Sequence, residues 1–588
     1  MRAWLGVVGL TCCACLQARP PPGPTCVATT VDTPFFHGDR ARLGWNAEET
    51  TLTPPAVASS AFGELWSSPQ LDAVTIAGRA YAPHLYATPL YVDDVALGAG
   101  RRAGLAIVAT TSGFAYAIGT GIGCGAAVPG RGQIVWRAQL GTPIIAPFDG
   151  NLPLGVLSTP AVDVDAGRVY VVAADAQRGW QAFALDLASG AVLPGWPVVL
   201  DEVSLGAVNT NGPALFEGPL VQSQRSALNL SPDGSLLYVP FGAYFDGGGG
   251  WLAVIDTRAP NVASAFSGAP SMEHFANAGV WGSGGPALSA DGTVWVTTGN
   301  SPPASKALPH VWGNSMLAFA PPLVLAGSYN PWDFCQMEDY DSDLGGGAPL
   351  VVPDLDAGAT ATPHLLAFGG KQGNVYLLDR DHLPGGTDRR PACSTDPSSD
   401  RSLLPPAPQP QFGTRGPLNV FGPYSEQFAS GDYAKSRTSA AFFRGRDGTN
   451  YLYVAGTTKA AVDSELSVPP CLARLRIVTA PGQPAYLAVD ARESQLSFLN
   501  PGPPEISSNG ARDAIVWILD ENAKRTAFLT GPDPPRPILY AVDAETMTLL
   551  WKSAWGQLEV GGKYNHVTIA HGLVLVGTDR LRAFGVRP

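Results

Sequence analysis

The stretch Gly285–Gly299 reads GPALSADGTVWVTTG and contains two short apolar runs separated by Asp-Gly. The runs are rich in β-branched and aromatic residues, and Asp-Gly tolerates the positive φ of a tight turn, so the stretch predicts an antiparallel hairpin. Clear copies of the pattern occur at Thr159–Ala174, Arg225–Ala243, Thr362–Arg380 and Thr438–Ala460, and weaker copies begin at Pro89, near Ala514 and at His566. Together they indicate about eight repeated units.

A single small antiparallel sheet cannot bury both of its faces. A ring of such sheets buries each sheet against its neighbours and leaves only short, protected edges. We therefore predict an all-β fold, a single eight-bladed β-propeller of four-stranded antiparallel blades. A pair of β-sandwich domains is the alternative, which the continuous run of units from Pro89 to Val586 disfavours.

Composition supports many short elements joined by turns. The 588 residues include 68 Gly and 54 Pro, and only 15% are charged. Hydrophobic residues make up 45% of the chain, with 14 Trp and 17 Tyr, which is enough apolar material for a core. The formal net charge is −12 and the basic residues are scattered, so the chain lacks the basic surface that nucleic acid requires.

The first residues have the layout of a secretory signal. Arg2 precedes an apolar stretch from Ala3 to Leu16 that is too short to span a bilayer. We therefore predict a signal peptide at 1–18, a Pro-rich N-terminal segment at 19–60 and the propeller at 61–588, with no transmembrane span. The sequence Leu10-Thr11-Cys12-Cys13 loosely resembles a lipobox, so a lipid anchor at Cys13 is one alternative. The predicted location is the periplasm, the outer membrane as a lipoprotein, or the extracellular space.

Outside the leader, the cysteines are widely spaced and match no metal-ligand pattern. In an oxidising compartment they allow up to two disulfides with one thiol left over, and their spacing does not fix the pairing. These cysteines are Cys26, Cys124, Cys335, Cys393 and Cys471.

Two stretches resemble the repeat of pyrroloquinoline quinone (PQQ) enzymes, in which a strand ends in Ala-x-Asp and a turn leads to a Trp. They are Ala184–Gly190, followed by Trp196, and Ala541–Met547, followed by Trp551. Met547 stands where Gly is usual. In such a repeat the Asp caps local amides and the Trp packs between adjacent blades. The chain also resembles exported bacterial PQQ-repeat proteins of unknown function, through phrases such as HLLAFGGKQGNVYLLDRD.

Four short segments resemble the active-site segments of quinoprotein alcohol dehydrogenases. The resemblance implies that Trp281 carries PQQ, that Asn300 in Thr298-Gly299-Asn300 binds calcium, and that Lys371 contacts the quinone oxygens. It also implies that Asp333, in Trp332-Asp333-Phe334, is the catalytic base and a second calcium ligand. Asp175 lies roughly where the family has a third ligand, a Glu, although its surroundings do not match. The adjacent Cys pair of many relatives is missing from the mature chain.

Structural interpretations compete with each of these assignments. Trp281 is equally consistent with packing between blades, Asn300 with a turn at a strand end, and Lys371 with a solvated hairpin. The run of Glu338, Asp339, Asp341 and Asp343 is interpreted as a solvated loop, because Leu344 stands where a calcium-binding EF-hand loop requires Gly. No zinc-hydrolase or Ser-His-Asp pattern is present in the sequence.

Three functional classes follow. The first is a noncatalytic binding or scaffold propeller at the cell envelope, whose partner is an envelope protein or a small molecule. It is favoured because the repeats survive while the adjacent Cys pair and a clear third calcium ligand do not. The second is a PQQ- and calcium-dependent alcohol or sugar dehydrogenase, which would need a separate electron acceptor. The third is a propeller that binds another ligand in its central channel.

Overall fold

A computed structural model describes most of the chain. The described residues are 31–123, 128–146, 152–273, 278–301, 308–339, 341–371, 373–394, 418–419, 436–457, 471–493, 495–523 and 534–587. The predicted signal peptide, the lipid site at Cys13, and Cys26 and Cys124 lie outside these residues.

The predicted eight-bladed propeller is confirmed. Eight antiparallel sheets of at least four strands follow one another along the chain, and we number them as blades 1 to 8. Blades 1 to 4 comprise Leu90–Ala96, Arg102–Ala109, Phe114–Gly119 and Ile134–Gln139; Ala161–Asp163, Arg168–Asp175, Gly179–Asp186 and Val198–Leu200; Gln222–Ser223, Asn229–Leu230, Leu236–Ala243, Trp251–Asp256 and Asn261–Ser267; and Ala287–Leu288, Val294–Thr297, Met316–Ala320 and Val324–Tyr329.

Blades 5 to 8 have the same strand order. They comprise Leu350–Val351, Leu365–Gly369, Asn374–Asp379 and Leu418–Asn419; Ala441–Arg444, Asn450–Ala455, Leu472–Ala480 and Gln483–Glu493; Glu505–Asn509, Arg512–Asp520, Ile538–Asp543 and Leu549–Lys552; and Thr568–Ala570, Leu573–Gly577, Leu581–Val586 and Phe62–Ser67. The first strands of successive blades contact one another in several pairs, so these strands surround the axis of the ring.

The ring closes where the first and the last strands of the propeller pair with each other. Phe62–Ser67 pairs antiparallel with Leu581–Val586, and thereby supplies the outer strand of blade 8. A closed ring has no long unpaired edge, which removes a surface that would otherwise recruit other strands.

The N-terminal segment Val31–Glu49 lies against the first strands of the ring and joins all eight blades. Its main chain pairs with Tyr91 of blade 1 and, through Trp45–Asn46, with the first strand of blade 7. It also forms hydrogen bonds with blades 2 to 6 and with blade 8. In that order of blades, the pairs are Pro34 with Val162, Arg40 with Leu230, Arg40 with Leu288, Ala41 with Val351, Leu43 with Phe442 and Asn46 with Ile569. This segment therefore occupies the central channel.

A buried arginine fixes the segment there. Arg42 is fully buried and donates hydrogen bonds to the carbonyl oxygens of Phe36, Leu228 and Pro286, at 3.0, 2.8 and 3.1 Å. Two of these acceptors, Leu228 and Pro286, lie next to the first strands of blades 3 and 4, and the arginine side chain supplies them with a buried donor.

Each of several apolar clusters is shared by two adjacent blades. Leu252 and Val254 of blade 3, for example, pack with Val294 and Leu317 of blade 4. This is the burial that a repeat of short apolar strands requires, because one face of each sheet is covered by the next sheet.

The repeat motifs have the roles expected of them. Asp186 accepts from the main-chain N–H of Ser189, and Asp543 from those of Glu545 and Thr546. Trp551 of blade 7 packs against Phe62 and Phe584 of blade 8. Met547 has a φ of 57°, which explains why Gly is usual there.

Few elements lie outside the blades. They are the helices Pro54–Val57, Glu202–Gly206 and Phe334–Asp339, the 3₁₀ turns Tyr244–Asp246 and Leu344–Gly346, and the hairpins Val74–Ile76 with Arg79–Tyr81 and Ile144–Ala146 with Leu152–Leu154. Within the described residues, none of the helices is both long and apolar enough to cross a bilayer. Cys335 and Cys393 form a disulfide, while Cys471 is a buried free thiol.

Candidate functional site

Loops from three neighbouring blades meet at one end of the ring. At this end of the ring, the first strand of each blade begins and the second strand of each blade ends. Six side chains from these loops form what we call the Trp281 cluster: Asp246, Trp281, Asn300, Asp341, Asp343 and Lys371.

Lys371 is the centre of the charged contacts. Its Nζ lies 2.6 Å from Oδ1 of Asp341 and 3.0 Å from Oδ1 of Asp343. The second carboxylate oxygen of Asp343 accepts from the indole Nε1 of Trp281 at 2.8 Å. Asp343 and Lys371 are both buried, so this ion pair is shielded from water.

Asn300 connects a further carboxylate to the cluster. Its amide nitrogen lies 3.3 Å from Oδ2 of Asp246 and 3.5 Å from Oδ1 of Asp341. Its amide oxygen accepts from Nδ2 of Asn314 at 3.2 Å, and Asn314 in turn accepts from the main-chain N–H of Leu344. Three carboxylates and the amide nitrogen of Asn300 thus converge beside an indole ring.

Glycines allow the close approach of these loops. A Cβ at position 299 would lie 2.8 Å from Nε1 of Trp281 and 2.9 Å from Oδ2 of Asp343, which no side chain tolerates. A Cβ at Gly346 would lie 3.3 Å from Cγ of Lys371 and 3.4 Å from the Trp281 ring. Packing therefore requires Gly at 299, while a side chain at 346 would need Lys371 to shift by a few tenths of an ångström.

The acidic loop is held in place from both sides. It follows the helix Phe334–Asp339, in which Glu338 forms a buried ion pair with Arg390 at 2.9 Å. The disulfide Cys335–Cys393 ties the same helix to the same neighbouring segment. The main-chain N–H of Lys371 donates to the carbonyl of Asp343, so the hairpin of blade 5 and the acidic loop are also joined directly.

Cations and a second aromatic ring border the indole. Nζ of Lys371 lies 4.9 Å from the Trp281 ring centroid, and the guanidinium of Arg225 lies 5.3 Å from it. Arg225 also lies 5.1 Å from the ring of Tyr564, and Lys563 lies 5.4 Å from the same ring. The surroundings of the indole therefore attract anions and flat rings.

Burial perturbs the charges of the cluster. Removal from water raises the pKa of Asp343 to about 7, although the charge of Lys371 opposes that change. Burial also raises the pKa of Asp246, again against Lys371. The pKa of Lys371 is raised, because the carboxylates of Asp343 and Asp341 outweigh the effect of its burial. Three carboxylates are grouped around buried Lys371, and the charge of Arg437 also acts on that lysine.

Four residues at this end of the ring have an unusual backbone conformation. Positive φ angles occur at Asp246, Asn314, Asp341 and Tyr564, with values of 54°, 48°, 50° and 66°. Such conformations are costly for residues other than Gly, most of all for a bulky Tyr, and they accumulate where a precise side-chain arrangement is held by its surroundings.

Three of the sequence-predicted site residues come together, namely Trp281, Asn300 and Lys371. Asp333 is buried at the start of the helix Phe334–Asp339, where its carbonyl accepts from the N–H of Gln336 and of Met337. Asp175 lies in a hairpin of blade 2 and accepts main-chain hydrogen bonds from Thr142, Gln177 and Arg178.

The interpretation of the acidic run as a solvated loop is only partly right. Asp343 has 2% of its surface exposed, and its carboxylate contacts both Trp281 and Lys371. Sequence reasoning also missed Asp246, which comes from the turn after the second strand of blade 3. The Gly345–Gly347 stretch directly after the acidic run was the available signal, because it permits close packing against another loop.

No protein-family model matches the chain, and no curated protein matches it. Solved structures do match. The quinohemoprotein alcohol dehydrogenase of Comamonas testosteroni superposes with a TM-score of 0.56 at 14% sequence identity, over 95% of this chain and 80% of that protein. The corresponding enzyme ADHIIG of Pseudomonas putida HK5 gives 0.56 at 11% identity, over 95% and 80%.

A europium-containing methanol dehydrogenase gives a TM-score of 0.51 at 15% identity, over 93% of this chain and 90% of that protein. These proteins share the propeller fold with this chain. At sequence identities this low, the superpositions show a common fold, and the chemistry depends on the side chains of the site.

Proposed function

We propose that the chain is a quinoprotein-type dehydrogenase that binds PQQ and a divalent cation at the Trp281 cluster and oxidises an alcohol or a sugar. The observation that carries the proposal is the convergence of Trp281, Asn300 and Lys371 with three carboxylates. The first three were selected from the sequence by their resemblance to such enzymes, and they lie on separate loops.

The donor set fits a hard cation. Calcium takes carboxylate and amide oxygens, and the cluster offers the carboxylates of Asp246 and Asp341, which lie beside the amide nitrogen of Asn300. The amide oxygen of Asn300 accepts from Asn314, so this amide would have to turn over to join them. A divalent cation would favour the ionised form of the buried carboxyls, whose pKa values burial raises. Asp246 also supplies the third ligand for which the sequence offered only Asp175.

The cation and the quinone would supply the redox chemistry, because PQQ accepts a hydride from the carbon that bears the hydroxyl group. The chain's own residues prepare the substrate. Asp343 would accept the hydroxyl proton, since its buried carboxyl has a pKa of about 7. Trp281 and Lys371 orient that carboxylate through the contacts at 2.8 and 3.0 Å. We thus assign the base role to Asp343 in place of Asp333.

The bordering groups fit an anionic, planar ligand. Trp281 provides an aromatic ring, and Lys371 and Arg225 provide positive charge beside it, while Lys563 lies against the neighbouring ring of Tyr564. Lys371 would hold the quinone by its positive charge and would stabilise the negative charge that develops on the quinone oxygens.

The test is alcohol-dependent reduction of an artificial electron acceptor by protein loaded with PQQ and calcium. Two results together would support the proposal: the wild type turns over an alcohol, and Asp343→Asn lowers the rate at least about 100-fold while it still binds PQQ. Asp165→Asn, at an exposed site, is the matched control. If the wild type shows no turnover on a panel of alcohols and sugars, or if Asp333→Asn abolishes turnover while Asp343→Asn does not, the assignment is wrong.

A noncatalytic binding propeller is the second candidate. The specific observation in its favour is that Lys371 and Arg225 already lie over the Trp281 ring, where a stacked cofactor would need space. In this alternative the Trp281 cluster is a structural ion-pair network, and an envelope partner binds elsewhere. A wild type that binds neither PQQ nor calcium would favour it.

Export belongs to the same proposal, carried by the predicted signal peptide at 1–18. An exported dehydrogenase would pass electrons to a separate acceptor, because the sequence contains no Cys-x-x-Cys-His for haem attachment.

A further inference from the structure

Three ionisable side chains that are not part of the Trp281 cluster meet in the central channel. They are His37 of the N-terminal segment, Glu505 of the first strand of blade 7, and His566, which precedes the first strand of blade 8. All three are buried, with exposed fractions of 0%, 3% and 2%. One ligand atom from each lies within 4.8 Å of the others.

Two of their polar atoms have no hydrogen-bond partner among the described residues, namely Nε2 of His37 and Oε2 of Glu505. These two atoms face each other at 4.0 Å, and Nδ1 of His566 lies 3.6 Å from the same carboxylate oxygen. Unpartnered buried polar atoms are rare because each costs about 1–3 kcal/mol, so two that converge on one point require an explanation.

We infer that His37, Glu505 and His566 form a zinc site that fastens the N-terminal segment inside the propeller. Two imidazoles and one carboxylate suit Zn²⁺, which binds nitrogen and oxygen ligands at about 2.0–2.2 Å. Tetrahedral ligands at that bond length lie roughly 3.4 Å apart. The ligand atoms of the three side chains lie within 4.8 Å of one another, so the widest gap must close by up to about 1.4 Å.

The second shell of His37 matches that of a metal ligand. Its Nδ1 lies 3.3 Å from the carbonyl oxygen of Arg42, which fixes the proton on Nδ1 and leaves Nε2 free to coordinate. Burial lowers the pKa of His37 well below its usual value, so the imidazole is neutral, as a ligand must be.

His566 must change its contacts to join the site. Its Nδ1 is the nitrogen that lies 3.6 Å from Glu505, and it also lies 2.7 Å from the carbonyl of Val567, a contact that a metal would replace. Its Nε2 would then carry the ring proton and would give up the long hydrogen bond of 3.4 Å that it accepts from the main-chain N–H of His37.

The backbone agrees with a site that its surroundings hold in place. His37 has a φ of 55°, a conformation that a non-glycine residue adopts when its surroundings impose it.

The test uses the full chain, unfolded and refolded with one equivalent of Zn²⁺ or with a chelator, in buffer containing calcium so that the Trp281 cluster is saturated. We expect about one zinc per chain after gel filtration, a higher melting temperature than the metal-free sample, and a tetrahedral d–d spectrum with Co²⁺. Zinc content should fall at least about tenfold in Glu505→Gln and in His37→Gln. His382→Gln, at a side chain that is 74% exposed, should keep the metal.

Zinc content in the wild type no higher than in Glu505→Gln would overturn the inference. If either variant does not fold, X-ray absorption of the zinc-loaded wild type decides: two imidazoles and one carboxylate support the site, and any other ligand set contradicts it.

Discussion

The indole Nε1 of Trp281 donates to Oδ2 of Asp343 at 2.8 Å, across 62 positions of sequence. Trp281 precedes blade 4 and Asp343 precedes blade 5, so the bond joins the entry loops of two blades. It fixes the orientation of a buried carboxylate whose other oxygen faces Lys371. A ring that stacks on the indole would therefore lie beside a carboxylate of defined orientation.

Gly299→Ala should disrupt this bond without adding charge. The new methyl group would lie 2.8 Å from Nε1 of Trp281 and 2.9 Å from Oδ2 of Asp343. We expect a loss of about 1–3 kcal/mol in the free energy of unfolding, as for an overpacked interior, and at least about tenfold weaker PQQ binding. Denaturant unfolding and calorimetric titration measure the two effects. Gly386→Ala, at a position with no atom within 4 Å of its Cβ, is the control; equal effects of the two changes would refute the packing argument.

Lys371→Met should leave the cluster with uncompensated carboxylates. Removing one partner of a buried ion pair costs about 3–5 kcal/mol, because the remaining charges stay buried. Calcium binding should partly restore the melting temperature of this variant and raise it more than that of the wild type. The exposed Lys552→Met should behave like the wild type. A Lys371→Met protein that melts like the wild type in the absence of calcium would contradict the description of the cluster.

Arg42→Met should loosen the N-terminal segment. The change removes the Arg42 donor from the carbonyls of Phe36, Leu228 and Pro286. Pro286 keeps a hydrogen bond from Nδ2 of Asn229, so the cost of about 1–3 kcal/mol for each buried acceptor applies to Phe36 and Leu228. We expect faster proteolytic cleavage within 31–49 and a lower melting temperature. The control is Arg476→Met at an exposed position. If cleavage in this segment is no faster in Arg42→Met than in the control, the arginine does not hold the segment in the channel.

Asp93 should make stability depend on pH. Its carboxylate accepts from His571 at 2.6 Å and from Tyr91 at 3.0 Å. Burial raises its pKa, but the hydrogen bond and charge of His571 outweigh burial and hold the pKa below the usual value. A depressed pKa in the folded state contributes stability above the unfolded pKa of about 3.9, and that contribution is lost as the pH falls.

Asp93→Asn should therefore lower the melting temperature more at pH 7 than at pH 3. Thermal unfolding of both proteins at the two pH values measures the difference. An equal decrease at pH 3 and pH 7 would show that the charge of Asp93 contributes nothing to stability.

The fold could be predicted from the sequence because its signals are local. Asp-Gly turns between β-branched runs recur along the chain, and each unit specifies its own sheet. The partners of Trp281 could not be predicted in the same way, because Asp246 and Asp343 reach it only through the stacking of blades 3, 4 and 5. The position of the N-terminal segment was equally hidden, since most of its bonds are to main-chain groups, which carry no sequence signature.

The most direct measurement of the central claim is a titration of the purified protein with PQQ, followed by tryptophan fluorescence, in calcium and again in excess chelator. We predict saturable quenching that depends on calcium, is lost in Trp281→Leu and persists in Trp555→Leu, whose indole is 62% exposed. Absence of saturable quenching by the wild type in calcium, or equal quenching in Trp281→Leu, would show that the Trp281 cluster is not a cofactor site.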